Sequence, residues 1–151
     1  MNSNILEKAA TDLLSIPPLI FRITRKKLLQ TTLTDIEVDI TPHHFEIMRL
    51  LRDEGTLHVA EIGKRLQIAK AQMTHLIDKL VDLNMVERKP DKLDRRAITI
   101  TLTKLGKRFL KEHMESLMAN IQETMSCLTD EELQNVSNSL RKLRDILLRL
   151  Q

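Results

Sequence analysis

The chain is poor in aromatic residues: its 151 residues include three Phe and no Tyr or Trp. Leu, Ile, Val and Met must fill the interior. Few rings remain to stack on unpaired bases, which argues against a reader of single-stranded RNA or DNA. Gly and Pro number only three and four, so helices should dominate. A lone cysteine, Cys127, excludes an intramolecular disulfide and fits a reducing cytoplasm. No apolar run approaches the ~18–20 residues of a membrane span. The opening MNSNILEKAATDLL carries acidic residues inside its apolar pattern and lacks a cleavage signature, so it does not read as a signal peptide. There is no Gly-rich phosphate loop and no Ser, Cys or carboxylate with an identifiable catalytic partner, so neither an enzyme nor a cofactor is expected.

What the chain has is a lopsided charge. Residues 60–111 hold thirteen Lys and Arg against six Asp and Glu, a net +7. The remainder holds 11 basic and 15 acidic residues, a net −4, which leaves +3 for the whole. A positive field concentrated on one third of a weakly basic protein is the footprint of a nucleic-acid binder.

The apolar spacing predicts a mainly helical protein with one β-hairpin. Residues 4–33 read as helix, with Ile5, Leu6, Ala9, Leu13 and Ile16 on one face. Pro17 and Pro18 should break or kink it, since neither has a backbone N–H. The pattern resumes with Leu19, Ile20, Ile23 and Leu28, and residues 31–40 read as a loop. Thr41-Pro42 opens the next helix, which Gly55 ends. Two short helices follow, at about 60–66 and 70–83, the second with Met73, Leu76, Ile77 and Leu80 inward. Residues 86–89 and 97–102 alternate as half-buried strands around the polar tip PDKLDRR. Thr103 caps a long helix to about Ser126, and Thr129-Asp130-Glu131-Glu132 is a capping box for the last. That helix carries Leu133, Val136, Leu140, Leu143, Leu147 and Leu150, a 3-4 seam suited to a partner helix.

A positioning helix, a second helix and a basic hairpin together match a winged helix-turn-helix. With its apolar residues inward, the second helix turns Lys70, Ala71, Gln72, Thr74, His75, Asp78 and Lys79 outward. Lys70 stands at the helix start. Gln72 can pair with adenine, Thr74 and His75 can reach base edges or phosphate, and Lys79 suits phosphate. On the hairpin, Arg95 and Arg96, with Lys92 beside them, suit a narrow minor groove. Asp94 would repel phosphate there, so its expected role is to pair with an Arg and fix the hairpin's geometry. The blander alternative for all of these is a solvated polar face.

The run from Asp94 to Gly106, DRRAITITLTKLG, resembles the wing signature of the MarR family: Asp94, Arg96, Leu102, Thr103 and Gly106 fall in register, and Ile100 replaces a Leu. LIDKLVDLNMVERKPDKLDRR resembles the family's passage from recognition helix to wing, and TPHHFEIMRLLRDEG its second helix. Two positions depart from the pattern. Ile68-Ala69-Lys70-Ala71 offers no side-chain cap where Ser is frequent, and Asn84 replaces the usual Gly, which it can do because Asn tolerates the left-handed conformation. The resemblance implies a homodimeric transcription regulator, usually a repressor that a small ligand releases from a pseudo-palindromic double-stranded operator. Residues 1–40 and 104–151 would then form the dimerisation part around a DNA-binding domain at 41–103. The apolar faces at 5–16, 19–28 and 133–150 agree, since one small domain cannot cover them. The resemblance also implies a crevice between the dimerisation and DNA-binding parts that holds anionic or aromatic effectors; the cluster Arg22, Arg25, Lys26 and Lys27 would border it, with Arg22 or Arg25 able to hold a carboxylate, although a solvated helix face is the default.

Other signals are weaker. His43 and His44 are adjacent and point apart, a poor metal pair, and the five histidines read as scattered. Cys127 reads as a small buried residue rather than a redox sensor, given the acids that follow it. Two rival functions use the same residues. An architectural DNA binder would lack operator preference, and a winged protein-interaction module would turn the basic face to an acidic partner.

Overall fold

The computed structural model describes residues 3–25 and 40–151, which contain six helices and a three-stranded antiparallel sheet. The expectations for residues 26–39, including Leu28 and most of the 31–40 loop, fall outside the described residues. The chain divides into two compact units, Ile36–Ser116 and the pair Met1–Asp35 with Leu117–Gln151.

The first unit begins with α2, Pro42–Glu54 (α1 belongs to the other unit). Pro42 sits at the helix start, where its missing donor costs nothing, and Nδ1 of His44 accepts the Thr41 N–H at 2.9 Å. Gly55 ends the helix at φ +82°, a conformation that favours glycine. Next come β1 (Leu57–His58), α3 (Val59–Leu66), α4 (Lys70–Asp82), β2 (Val86–Pro90), β3 (Ile98–Leu102) and the first half of α5 (Lys104–Met125). β3 is the central strand, flanked by β1 (Leu57 opposite Ile100) and by β2 (Val86 opposite Leu102). The alternation expected for β3 holds at Ile100 and Leu102, which are buried, but Ile98 lies nearer the tip and is 49% exposed.

The core collects Ile47, Met48 and Leu51 of α2, Ile62 of α3, Met73, Leu76, Ile77 and Leu80 of α4, the inward sheet residues and Leu110 of α5. Two non-glycine residues take left-handed backbone at its corners: Gln67 in the α3–α4 turn (φ +55°) and Asn84 after α4 (φ +57°). Thr103 joins α5 to the sheet. Its hydroxyl donates to the Asn84 carbonyl at 2.6 Å and accepts the Gly106 N–H at 2.9 Å. Gly106 is needed for close approach, because a Cβ there would lie 2.0 Å from the Met85 carbonyl oxygen. Phe45 stacks on His113 at a centroid distance of 3.8 Å and lies 6.0 Å from Phe109, tying α2 to α5.

The second unit contains α1 (Ser3–Arg25), the rest of α5 and α6 (Asp130–Leu148). α1 continues as helix through Pro17 and Pro18, so of the break or kink expected from the sequence the break does not occur. Each proline removes one i→i−4 bond and so strips the carbonyls of Leu13 and Leu14 of helical partners. Leu14 is 77% exposed, so its turn is open to solvent. The Thr129 capping box forms as expected: Oγ1 accepts the Glu132 N–H at 3.2 Å, and Oε2 of Glu132 accepts the Thr129 N–H at 2.8 Å. Cys127 corrects another expectation. It is exposed, because it lies in the tight turn between α5 and α6 rather than on a packed face. No described side chain of α1 or α6 is fully buried.

Candidate nucleic-acid interface

Helix α4 presents Lys70, Ala71, Gln72, Thr74 and His75 as exposed side chains on the face opposite its buried Met73, Leu76, Ile77 and Leu80. Ala69 precedes the helix without a side-chain cap, as its sequence dictates. Lys79 is half-buried one turn on. Asp78, on the outward side as expected, is half-buried and paired with Arg88 of β2, which ties the stem of the wing to α4.

The wing tip spans residues 91–97, between β2 and β3. Lys92, Leu93, Arg95 and Arg96 are exposed there. Asp94 stabilises the tip by a different route from the one expected. Its Oδ1 accepts the main-chain N–H of Arg96 at 3.0 Å, and its carbonyl accepts the Ala97 N–H at 3.0 Å. The backbone amide therefore does the work assigned to an Arg side chain, as is usual for Asp in a turn. Asp91 is organised in the same way and was missed by the sequence reading. Oδ1 accepts the Leu93 N–H at 2.8 Å, and Oδ2 lies 2.5 Å from Nε2 of His58. The Leu93 amide first, and His58 second, hold the Asp91 carboxyl below its usual range.

Between α3, the start of α4 and the wing lies an open groove of about 1260 Å³. Lys64, Gln67, Lys70, Thr74 and Arg96 line it, together with the acids Glu61, Asp91 and Asp94. The acids are all engaged: Glu61 by Arg65 at 2.7 Å, Asp91 by His58 and Asp94 by the Arg96 amide. Among the described residues, Lys64, Lys70 and Arg96 make no ion pair, nor do Lys79, Lys92 and Arg95. Arg88 and Lys89, by contrast, are held by Asp78 and Glu87. The groove cations chosen from the sequence are thus without ion pairs among the described residues, a property they share with Lys104, Lys107 and Arg108, which were not chosen. Lys64 and Gln67 join them from a helix and turn that the sequence reading treated as structural. Their signal was position, the last turn of the positioning helix, rather than residue type.

Arg22 is exposed on α1, and Arg25 ends that helix with its side chain outside the described part. Among the described residues, no group of three or more His, Cys, Asp or Glu could hold a metal ion.

Comparison with known proteins agrees with this geometry. The MarR family model matches residues 40–98. The HTH-type transcriptional regulator YsmB of Bacillus subtilis is 30% identical over 105 residues, 70% of this chain and 72% of YsmB. The chain belongs to the MarR family. The HTH-type transcriptional repressor MdtR of Bacillus subtilis is 28% identical over 90% of this chain and 88% of its own length. A MarR family protein from Bacillus stearothermophilus has the same fold, with a TM-score of 0.75 and 24% identity over 98% of this chain and 99% of that one. As a MarR-family winged-helix protein, this chain is a DNA-binding transcriptional regulator. No described helix is long and apolar enough to cross a membrane.

Proposed function

We propose that the protein is a homodimeric repressor of a pseudo-palindromic operator. Helix α4 enters the major groove and the wing lies along the backbone and the adjoining minor groove. Lys70, Gln72, Thr74 and His75 face base edges and flanking phosphates, while Lys79, Lys92, Arg95 and Arg96 neutralise the backbone. The observation that carries this reading is the division of charges on one face: the groove's acids are engaged locally and its cations are free. A face for an acidic protein would need the same cations but would have no use for Gln72 and Thr74 on a helix of groove-filling width.

The dimer is supported by apolar side chains that the single chain leaves uncovered. On α1, Ile5, Leu6 and Leu14 are 66%, 60% and 77% exposed; on α6, Leu140 and Ile146 are 49% and 47% exposed. We assign the second unit to dimerisation and residues 41–103 to DNA binding. Two-fold symmetry would then set the recognition helices about one turn of DNA apart, roughly 34 Å. A small anionic effector would release the operator, with Arg22 and Arg25 as candidates to hold its carboxylate. A chromosomal regulator of this kind works in the cytoplasm.

The test is a salt titration of binding to a duplex that the protein selects from a random-sequence pool, compared with an unselected duplex. The affinity for the selected duplex should fall steeply with salt as counterions are released, and the unselected duplex should bind far more weakly. Arg96→Ala should cost about tenfold in affinity and flatten the salt slope by about one ion. A flat titration, or equal binding to both duplexes, overturns the reading.

A further inference from the structure

We propose that His58 and Asp91 form a clamp that sets the wing over the groove, which makes them positioning residues for DNA binding. The inference rests on the groove being the seat of a DNA strand.

The two residues come from opposite edges of the sheet. His58 ends β1, and Asp91 follows the last residue of β2, with β3 running between them. Neighbouring strands are ~4.8 Å apart, so the two edges are separated by about 10 Å. The side chains close that gap, and Nε2 of His58 meets Oδ2 of Asp91 at 2.5 Å although the residues are 33 apart in sequence. Each partner is fixed at its other end. His58 is the residue immediately before α3, so its backbone is set by the start of that helix and by pairing with Thr99. Asp91 donates its N–H to the Ala97 carbonyl at 2.9 Å, closing the tip, and gives Oδ1 to the Leu93 amide, opening it. One carboxylate therefore joins the turn of the wing tip to the helix-turn-helix.

Among the described residues, no other hydrogen bond or ion pair joins the tip, residues 91–97, to the helices. The Arg88–Asp78 pair holds the stem, below the tip. Leu93 is 98% exposed, and the tip residues Lys92, Arg95 and Arg96 are exposed without ion pairs. A bare two-stranded ribbon is marginally stable in water, so an unclamped tip would sample many orientations. Arg96 would then lose the entropy of those orientations on reaching DNA, a cost that preorganisation removes. The clamp also answers an electrostatic problem. Asp91 faces a groove lined by Glu61, Lys64, Lys70, Asp94 and Arg96. A bare carboxylate there would repel phosphate, and the His58 donor covers it.

The experiment measures binding of the full-length protein to the duplex that the wild type selects from a random pool, by fluorescence anisotropy. His58→Ala and Asp91→Asn should each weaken binding about five- to tenfold, whereas His58→Gln, which keeps an N–H donor, should recover most of the loss. The decisive measurement is a double-mutant cycle with Arg96→Ala. If the clamp acts mainly by placing Arg96, removing His58 in the Arg96→Ala background should cost about twofold at most, the share left to repulsion by the uncovered Asp91 carboxylate. Should His58→Ala lower the melting temperature, Asp91→Asn decides the question, because it keeps the Leu93 hydrogen bond. Wild-type affinity in both clamp variants, or an equal loss with and without Arg96, overturns the clamp while leaving the DNA-binding reading intact. A wild type that selects no duplex overturns that reading first.

Discussion

The winged unit and the second unit use similar apolar residues to opposite ends. Among the described residues, all fifteen buried apolar side chains lie between Ile47 and Leu110, in the winged unit. The second unit has Leu and Ile at helical spacing on α1 and α6, yet none of its described side chains is buried. Its helices are also the long ones, 23 residues for α1 and 19 for α6, against 8 and 13 for α3 and α4. Short helices can enclose a core among themselves and a sheet. Long helices with a strict leucine seam have more apolar face than their own chain covers, and a second copy is the natural cover. One unit is stabilised within the chain, and the other is proposed to be stabilised between chains.

The sharpest way to break that contrast is to damage each unit where it should be strongest. Ile77 is fully buried beneath α4. Ile77→Ala should cost about 2–5 kcal/mol, the loss typical of a large-to-small change in a packed core. Because the loss is internal to one chain, urea denaturation should show it to be independent of protein concentration. Ile77→Ala with wild-type stability would mean that the winged core is not what holds that unit together.

Leu14, 77% exposed in the single chain, offers the opposite case. A substitution at a truly solvated position changes stability by less than about 0.5 kcal/mol. If its face is covered by a second subunit, Leu14→Glu buries an unpaired charge and should weaken self-association at least about a hundredfold. Sedimentation at micromolar concentration would then show monomers where the wild type is dimeric. A variant that stays dimeric removes α1 from the interface. A smaller effect on the same unit comes from Thr129→Ala, which deletes the cap of α6. That should cost about 1 kcal/mol, read as a lower melting temperature at fixed concentration, and Thr129→Ser should restore it.

How much of this was legible in the sequence follows the same division. The helices of the winged unit announced themselves through apolar period, through Thr41-Pro42 and Thr103, and through the turn residues Gly55 and Asn84. The groove-facing residues of α4 then followed from its inward Met73, Leu76, Ile77 and Leu80. β1 was invisible, because two residues, Leu57 and His58, carry no period; only pairing with Ile100 and Thr99 makes them a strand. The His58–Asp91 contact and the Phe45–His113 stack join distant residues, so they exist only once the fold is known. The unbroken α1 escaped because local backbone preference at Pro17 and Pro18 gave way to the helix on either side. Asp94 was recognised as wing-structuring, but its partner was taken for a side chain when an amide two residues away was nearer.

The smallest expected effect separates the units by pH. All five histidines lie between His43 and His113, so none belongs to the second unit. Burial, and then the charge of Arg49, hold the His113 imidazole below its ordinary value of 6.5. A histidine depressed in the folded state takes up its proton more readily in the unfolded chain. The stability it permits is complete above pH 6.5 and declines as the pH falls through that value, until the folded group is itself protonated. His113→Phe keeps a ring to stack on Phe45 and removes the titration. Its urea midpoint should therefore fall less than that of the wild type between about pH 7.5 and 5.5. Self-association, proposed to run through the second unit, should not distinguish the two proteins over that range. Parallel pH profiles for the two would show that His113 titrates alike in the folded and unfolded chains. A shift in dimerisation that follows His113 would show that the two units are energetically linked, and that the division between an internally held domain and an externally held one is too simple.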